Sequence, residues 1–170
     1  ADEDAAIKDL VKSAFGHAGQ KCSAASLAIV EAPLHDDGTF LRRLADAVRS
    51  LRVGPATDLA TTVGPLIGSP SPSLHRALTT LDEGESWLVE PVRIDEHTWT
   101  PGVRLGVRPG SWFHRTECFG PVLGIVRATD LDDAIAIQNS SELGLTGGIQ
   151  SLDETEVARW LERVEVGNAY

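Results

Sequence analysis

The residues with the most chemical potential lie in Phe15–Ala24, FGHAGQKCSA, where glycines at positions 16 and 19 lead to a lone cysteine, Cys22, followed by Ser23 and a short apolar run. A thiolate delivered in this way can add to an electron-poor carbonyl carbon and hold it covalently, which splits one difficult step into two easier ones. Gly16 and Gly19 permit close backbone approach, and a nucleophile in such a turn can aim its own N–H at the oxyanion that develops beside it. A bare cysteine is more often an inert core residue, so the setting carries the reading. The other cysteine, Cys118, belongs to no CxxC pair and lies near no histidine cluster, so neither a zinc site nor a disulfide framework is indicated. A second segment, Glu117 to Leu123 (ECFGPVL), sets a carboxylate and an aromatic ring ahead of a Gly-Pro turn. Alone, it reads as a solvated acid and a core phenylalanine.

Together the two segments resemble the aldehyde dehydrogenase superfamily. GQKCSA after an amphipathic helix is similar to its nucleophile segment, and ECFGPVL, about a hundred residues downstream, is similar to its Glu-x-Phe-Gly-Pro signature. VGPLIG at Val63 to Gly68, LTGG, and VGN near the end fall in the family's order, so the resemblance spans essentially all 170 residues. It implies that the Cys22 thiolate forms a thiohemiacetal with an aldehyde, that this passes a hydride to NAD (NADP being the alternative), and that water releases the acid from the resulting thioester. It also implies that the Cys22 amide donates to the oxyanion. Glu117 would hydrogen-bond the nicotinamide ribose hydroxyls, Phe119 would pack near the nicotinamide ring, and Cys118 would be structural. Within the superfamily, SAFGHAGQKCSA and PGSWFHRTECFGPVLG most resemble the pyrroline-5-carboxylate dehydrogenases, particularly the dehydrogenase half of bifunctional proline-utilisation enzymes. That implies glutamate γ-semialdehyde as substrate, a homo-oligomeric parent, and a Ser23 hydroxyl that helps hold the substrate's α-carboxylate.

These segments need a scaffold, and the hydrophobic pattern predicts one. Asp2 and Asp4 precede a helix with Ile7, Leu10, Val11, Ala14 and Phe15 on one stripe, stopped by Gly16 and Gly19. Ser26–Val30 reads as a strand, and after Pro33 a second helix carries Phe40, Leu41, Leu44, Ala45, Val48 and Leu51. Gly54–Pro72 reads as an ordered surface connection, Leu74–Leu81 as a short helix, and Val103–Val107 and Val122–Val126 as strands. Asp130 caps a further helix, Leu145–Gln150 is a glycine-weakened strand, and Asp153 starts a helix with Val157, Trp160, Leu161 and Val164 on one face. Val164–Tyr170 reads as a final strand entering the core. The alternation predicts an α/β fold with a mainly parallel sheet flanked by helices, and the resemblance implies the three-layer arrangement of the aldehyde dehydrogenase catalytic-domain type.

The composition, 42% apolar and 24% charged, is that of a folded globular domain, and 170 residues allow one ordinary core. A net charge of −10 disfavours nucleic acid and anionic membranes as partners. No apolar stretch is long enough to span a bilayer, so a cytoplasmic setting is expected, and the resemblance implies a small-molecule aldehyde as partner. No Gly-rich strand-to-helix fingerprint for a pyrophosphate occurs, so residues 1–170 are read as a single, truncated catalytic domain without its cofactor-binding domain, incomplete at both ends. The general base and the carboxylate-anchoring loop implied by the family map to no residue here, and the isolated chain is expected to be inactive. Two alternatives stand. One is a Cys-His hydrolase using Cys22 with His17, His35, His75, His97 or His114, though His17 is expected to face away on the preceding helix. The other is a non-catalytic α/β scaffold with an unreactive Cys22.

Overall fold

The computed structural model describes residues 2–170. Helix α1 (Glu3–Phe15) begins where the Asp2 carboxylate accepts the Ala5 N–H at 3.1 Å, with Glu3 and Asp4 against the positive end of the helix. It buries Ile7, Ala14 and Phe15. The chain then winds through a left-handed turn, residues 17–19, and passes Cys22 before strand β1 (Leu27–Glu31). Pro33 lies in a short helix of its own, α2 (Ala32–Asp37), separated from α3 (Thr39–Arg49) by Gly38, whose φ of 72° ends the first helix. The buried stripe of α3 is the expected one, Phe40, Leu41, Leu44, Ala45 and Val48.

Residues 50–71 hold no regular element apart from a parallel bridge between Val53 and Val63. Helix α4 (Pro72–Thr79) follows, capped by Ser71. Next come β2 (Ser86–Val89), β3 (Gly102–Leu105), one turn of helix α5 (Trp112–Arg115) and β4 (Val122–Ala128). The sheet order is β1-β4-β3-β2, parallel except for β2. This is the mainly parallel sheet flanked by helices that the alternation predicts. Strand β4 is central, and Val122 to Val126 are buried without a break, as a strand covered on both faces must be. Helix α6 (Leu131–Asn139), capped by Asp130, packs on β1 and β4, while α1 packs on α3 and β4. A Cβ added to Gly124 would lie 2.6 Å from the Phe113 ring, so the middle of β4 is glycine to admit an aromatic side chain.

Three expectations are corrected. The strand at Leu145–Gln150 shortens to β5 (Thr146–Gly147), and the final one to β6 (Asn168–Ala169). These two pair with each other in a separate parallel ribbon, and residues 167–170 are exposed and do not enter the core. On α7 (Glu154–Arg163) the proposed apolar face buries only Trp160, whose indole N–H donates to Gln138 Oε1 at 2.9 Å, while Leu161 is exposed.

One buried charge organises the antiparallel side of the sheet. Arg104 on β3 is fully buried and paired with Glu85; it donates from Nη1 to the Ala77 carbonyl of α4 at 2.6 Å. Its guanidinium lies 4.8 Å from the Phe113 ring centroid and 5.3 Å from that of Trp87. One side chain thus ties β3 to β2, α4 and α5. Breaking such a pair strands the surviving charge, so Glu85→Ala is expected to cost about 3–5 kcal/mol in denaturant unfolding, and the double change Glu85→Leu, Arg104→Met far less. A double variant as unstable as the single one would refute this account.

Candidate active site

Cys22 precedes β1 and the ECFG segment precedes β4, and β1 and β4 are parallel neighbours with Leu27 opposite Gly124. Parallel pairing therefore puts both segments at the same end of the sheet. A hydrogen bond from the Gly124 N–H to the Ser26 carbonyl, at 2.9 Å, extends that pairing toward the cysteine.

The join between the two segments is made by glycines. Gly19 has φ of 69°, and a Cβ on it would sit 2.1 Å from the Gly120 carbonyl oxygen and 2.5 Å from its carbon. Backbone packs on backbone there, with no room for any side chain. Gly120 in turn is closed over by Leu74 of α4, whose methyl would lie 2.3 Å from an added Cβ. Gly16, expected to allow a similar approach, meets nothing closer than Lys21 Nζ at 3.9 Å, so Gly19 alone has that role.

Reaching this contact requires an unusual backbone. His17 and Ala18 both adopt left-handed φ, 56° and 55°, in sequence with Gly19. Consecutive left-handed residues other than glycine are costly and persist only where packing imposes them. Buried Ala18 supplies that packing. His17 consequently lies beyond the end of α1, exposed in the turn; its expected position on the helix is corrected. Phe119 is also left-handed, with φ of 56°, and is 42% exposed beside the glycine contact. An aromatic ring held outward by a strained backbone is not the core phenylalanine that the segment alone indicates.

The two thiols differ sharply. Cys22 is exposed and Cys118 buried. Burial pushes the Cys118 thiol up to about 11, against partial opposition from Arg104 and Arg76, and its Sγ faces the Thr116 carbonyl at 3.6 Å. Glu117 is exposed and makes no ion pair or side-chain hydrogen bond among the described residues, which leaves both carboxylate oxygens free as acceptors. Ser23 is half-buried next to Cys22. The structure thus brings Cys22 and Ser23 to the same sheet end as Glu117 and Phe119.

Among the described residues no histidine is hydrogen-bonded to Cys22. His35 bonds to Asp36, His75 stacks edgewise on Trp99, and His114 is buried, accepting from the Gly110 N–H and facing the Ile137 carbonyl. Among the described residues no group of three or more His, Cys, Asp or Glu could hold a metal. The residue that sequence reasoning passed over is Gln20. Its Oε1 accepts the Ile67 N–H at 2.9 Å and its Nε2 donates to the Phe119 carbonyl at 3.3 Å. The only signal for it was its place in GQKCSA, two residues before the thiol.

The fold and this site define an α/β domain that presents an exposed thiol beside an outward aromatic-acid loop at one end of a parallel sheet. Residues 1–170 match the aldehyde dehydrogenase family, and the chain belongs to it. The chain is 33% identical over its whole length to 1-pyrroline-5-carboxylate dehydrogenase of Geobacillus sp. (strain WCH70), and 31% identical to that of Bacillus subtilis (strain 168). It spans 33% of the length of each. Among solved structures, proline utilization A from Corynebacterium freiburgense is 59% identical with a TM-score of 0.96, covering 100% of this chain and 18% of that one. Succinate-semialdehyde dehydrogenase from Burkholderia pseudomallei is similar at 28% identity and a TM-score of 0.90, covering 99% of this chain and 36% of that one.

The glycine contact makes a direct prediction. Gly19→Ala adds a left-handed penalty of about 1–2 kcal/mol to an unrelieved backbone clash, so a loss of stability above that range is expected in thermal or denaturant unfolding. Gly16→Ala, in open space, should leave stability within about 0.5 kcal/mol, and equal losses in the two would contradict the assigned contact.

Proposed function

We propose that this chain is the nucleophile-bearing part of an NAD(P)-dependent aldehyde dehydrogenase that oxidises glutamate γ-semialdehyde to glutamate in proline catabolism. The observation that carries the reading is the exposed Cys22 thiol joined, through Gly19 and Gly120, to the loop bearing Glu117 and Phe119. Family membership, and relatives named for pyrroline-5-carboxylate dehydrogenation and proline utilization, support the substrate.

In this reading the Cys22 thiolate adds to the aldehyde carbon, forming a C–S bond as the carbonyl π electrons move to oxygen, with the Cys22 backbone N–H as one donor to that oxyanion. The bound nicotinamide supplies the two-electron acceptor for the aldehydic hydrogen. Water then attacks the Cys22 thioester, the C–S bond to the acyl carbon breaks, the carboxylate and two protons are released, and the thiolate is regenerated on Cys22. Glu117, whose carboxylate oxygens are free, would hold the cofactor's ribose, and Phe119 would limit the positions open to its nicotinamide ring. Ser23 donates to the substrate's α-carboxylate. Cofactor-domain residues, the general base and the carboxylate-anchoring loop come from outside residues 1–170, in keeping with a chain that spans a third of its relatives' length.

Two outcomes are expected. Iodoacetamide near neutral pH should label Cys22 at least about tenfold faster than Cys118, because the thiolate is the attacking species and burial denies Cys118 both ionisation and access. Equal, slow labelling would favour an unreactive scaffold. The purified chain, given glutamate semialdehyde and NAD, should show no NADH formation, and efficient turnover would mean that these residues already hold a whole site.

A further inference from the structure

Gln20 lies between three segments that are far apart in sequence. It sits two residues before Cys22, accepts from the backbone of the loop leading into α4, and donates to the backbone of the loop leading into β4. The chemistry of its two partners is opposite, an N–H at Ile67 and a carbonyl at Phe119, so they fix the orientation of the amide. Only an amide of this length serves both: a glutamate lacks the donor, a methionine lacks donor and strong acceptor alike, and an asparagine is one methylene short.

The bond to Phe119 falls where the backbone most needs a restraint. Phe119 is held at a φ of 56°, which an aromatic residue adopts only when its surroundings impose it. Two restraints act on it, the packing of Gly120 against Gly19 and the Gln20 Nε2 donation to its own carbonyl. The glycine contact fixes where the loop lies. The amide bond fixes how the Phe119 peptide is turned, and therefore the direction in which the exposed ring and the nearby Glu117 carboxylate project.

We infer that Gln20 is a positioning residue that sets the orientation of the Glu117–Phe119 loop against the Cys22 turn, and so governs nicotinamide binding without touching it. This rests on the cofactor roles proposed above for Glu117 and Phe119. Losing the amide should free the Phe119 peptide to relax while the glycine contact keeps the loop attached, so affinity for the cofactor should fall without global unfolding.

The test uses Gln20→Met and Gln20→Glu, with two readouts. In this chain, hydrogen exchange of the Ile67 amide should accelerate at least about tenfold in Gln20→Met and stay near wild type in Gln20→Glu, which keeps the acceptor. In the complete enzyme carrying this chain, the Kd for NAD by calorimetry should weaken about tenfold in both variants, since both lose the donor to Phe119, with the midpoint of thermal unfolding shifted by only a few degrees. Unchanged Ile67 exchange in Gln20→Met, or wild-type NAD affinity alongside accelerated exchange, overturns the inference and leaves Gln20 structural. A complete wild-type enzyme that binds no nicotinamide cofactor overturns instead the function proposed above, so the two failures are distinct.

Discussion

The contact on which the rest of the site depends is backbone against backbone at Gly19 and Gly120. It forces the left-handed run of His17, Ala18 and Gly19, because only that path brings the end of α1 flush against the ECFG loop before the chain reaches Cys22. It leaves Leu74 as the cover for Gly120, which draws α4 into place. It also defines the gap that the Gln20 side chain spans. Van der Waals contact between peptide planes is short-ranged and tolerates no added atom, so the arrangement is rigid at the scale that covalent chemistry requires.

Parallel sheets usually collect ligands at the carboxyl ends of their strands. Here the proposed nucleophile and the aromatic-acid loop both enter their strands, and so lie at the amino ends of β1 and β4. Fold-level analogy and the candidate residues thus point to opposite rims of the sheet, and a shared architecture does not by itself locate a site.

Much of the scaffold is legible in the sequence because its signals are local. The stripe of α3 and the Asp130 and Asp153 caps are each decided by a few neighbouring residues, as is the unbroken apolar run of β4. What escaped depends on distant partners. Strand β2 is four residues long and is made a strand by pairing with β3 and by the Glu85–Arg104 pair beside it, neither of which leaves a periodic trace. The exposed end of α7 looked like core because Leu161 sits at the correct spacing; periodicity says which residues share a face and nothing about what lies opposite. In the site, Cys22, Glu117 and Phe119 were reachable through their motifs. The left-handed turn and the role of Gln20 were not, since both are imposed by residues about fifty and a hundred positions away.

The connection between α3 and α4 has a further meaning. Val53 and Val63 bridge one another, and the Thr62 and Val63 amides both reach the Arg52 carbonyl, so residues 54–62 form a loop pinched at its neck. Leu59 at its tip is fully exposed. Closing a longer loop over the same neck costs entropy only as the logarithm of its length. Beyond the neck, Ile67 is tied to Gln20 and the spacing to α4 is fixed. Insertions and deletions can therefore accumulate on one side of Val63 and not on the other, which makes this loop the natural place for the chain to vary in length without disturbing the thiol.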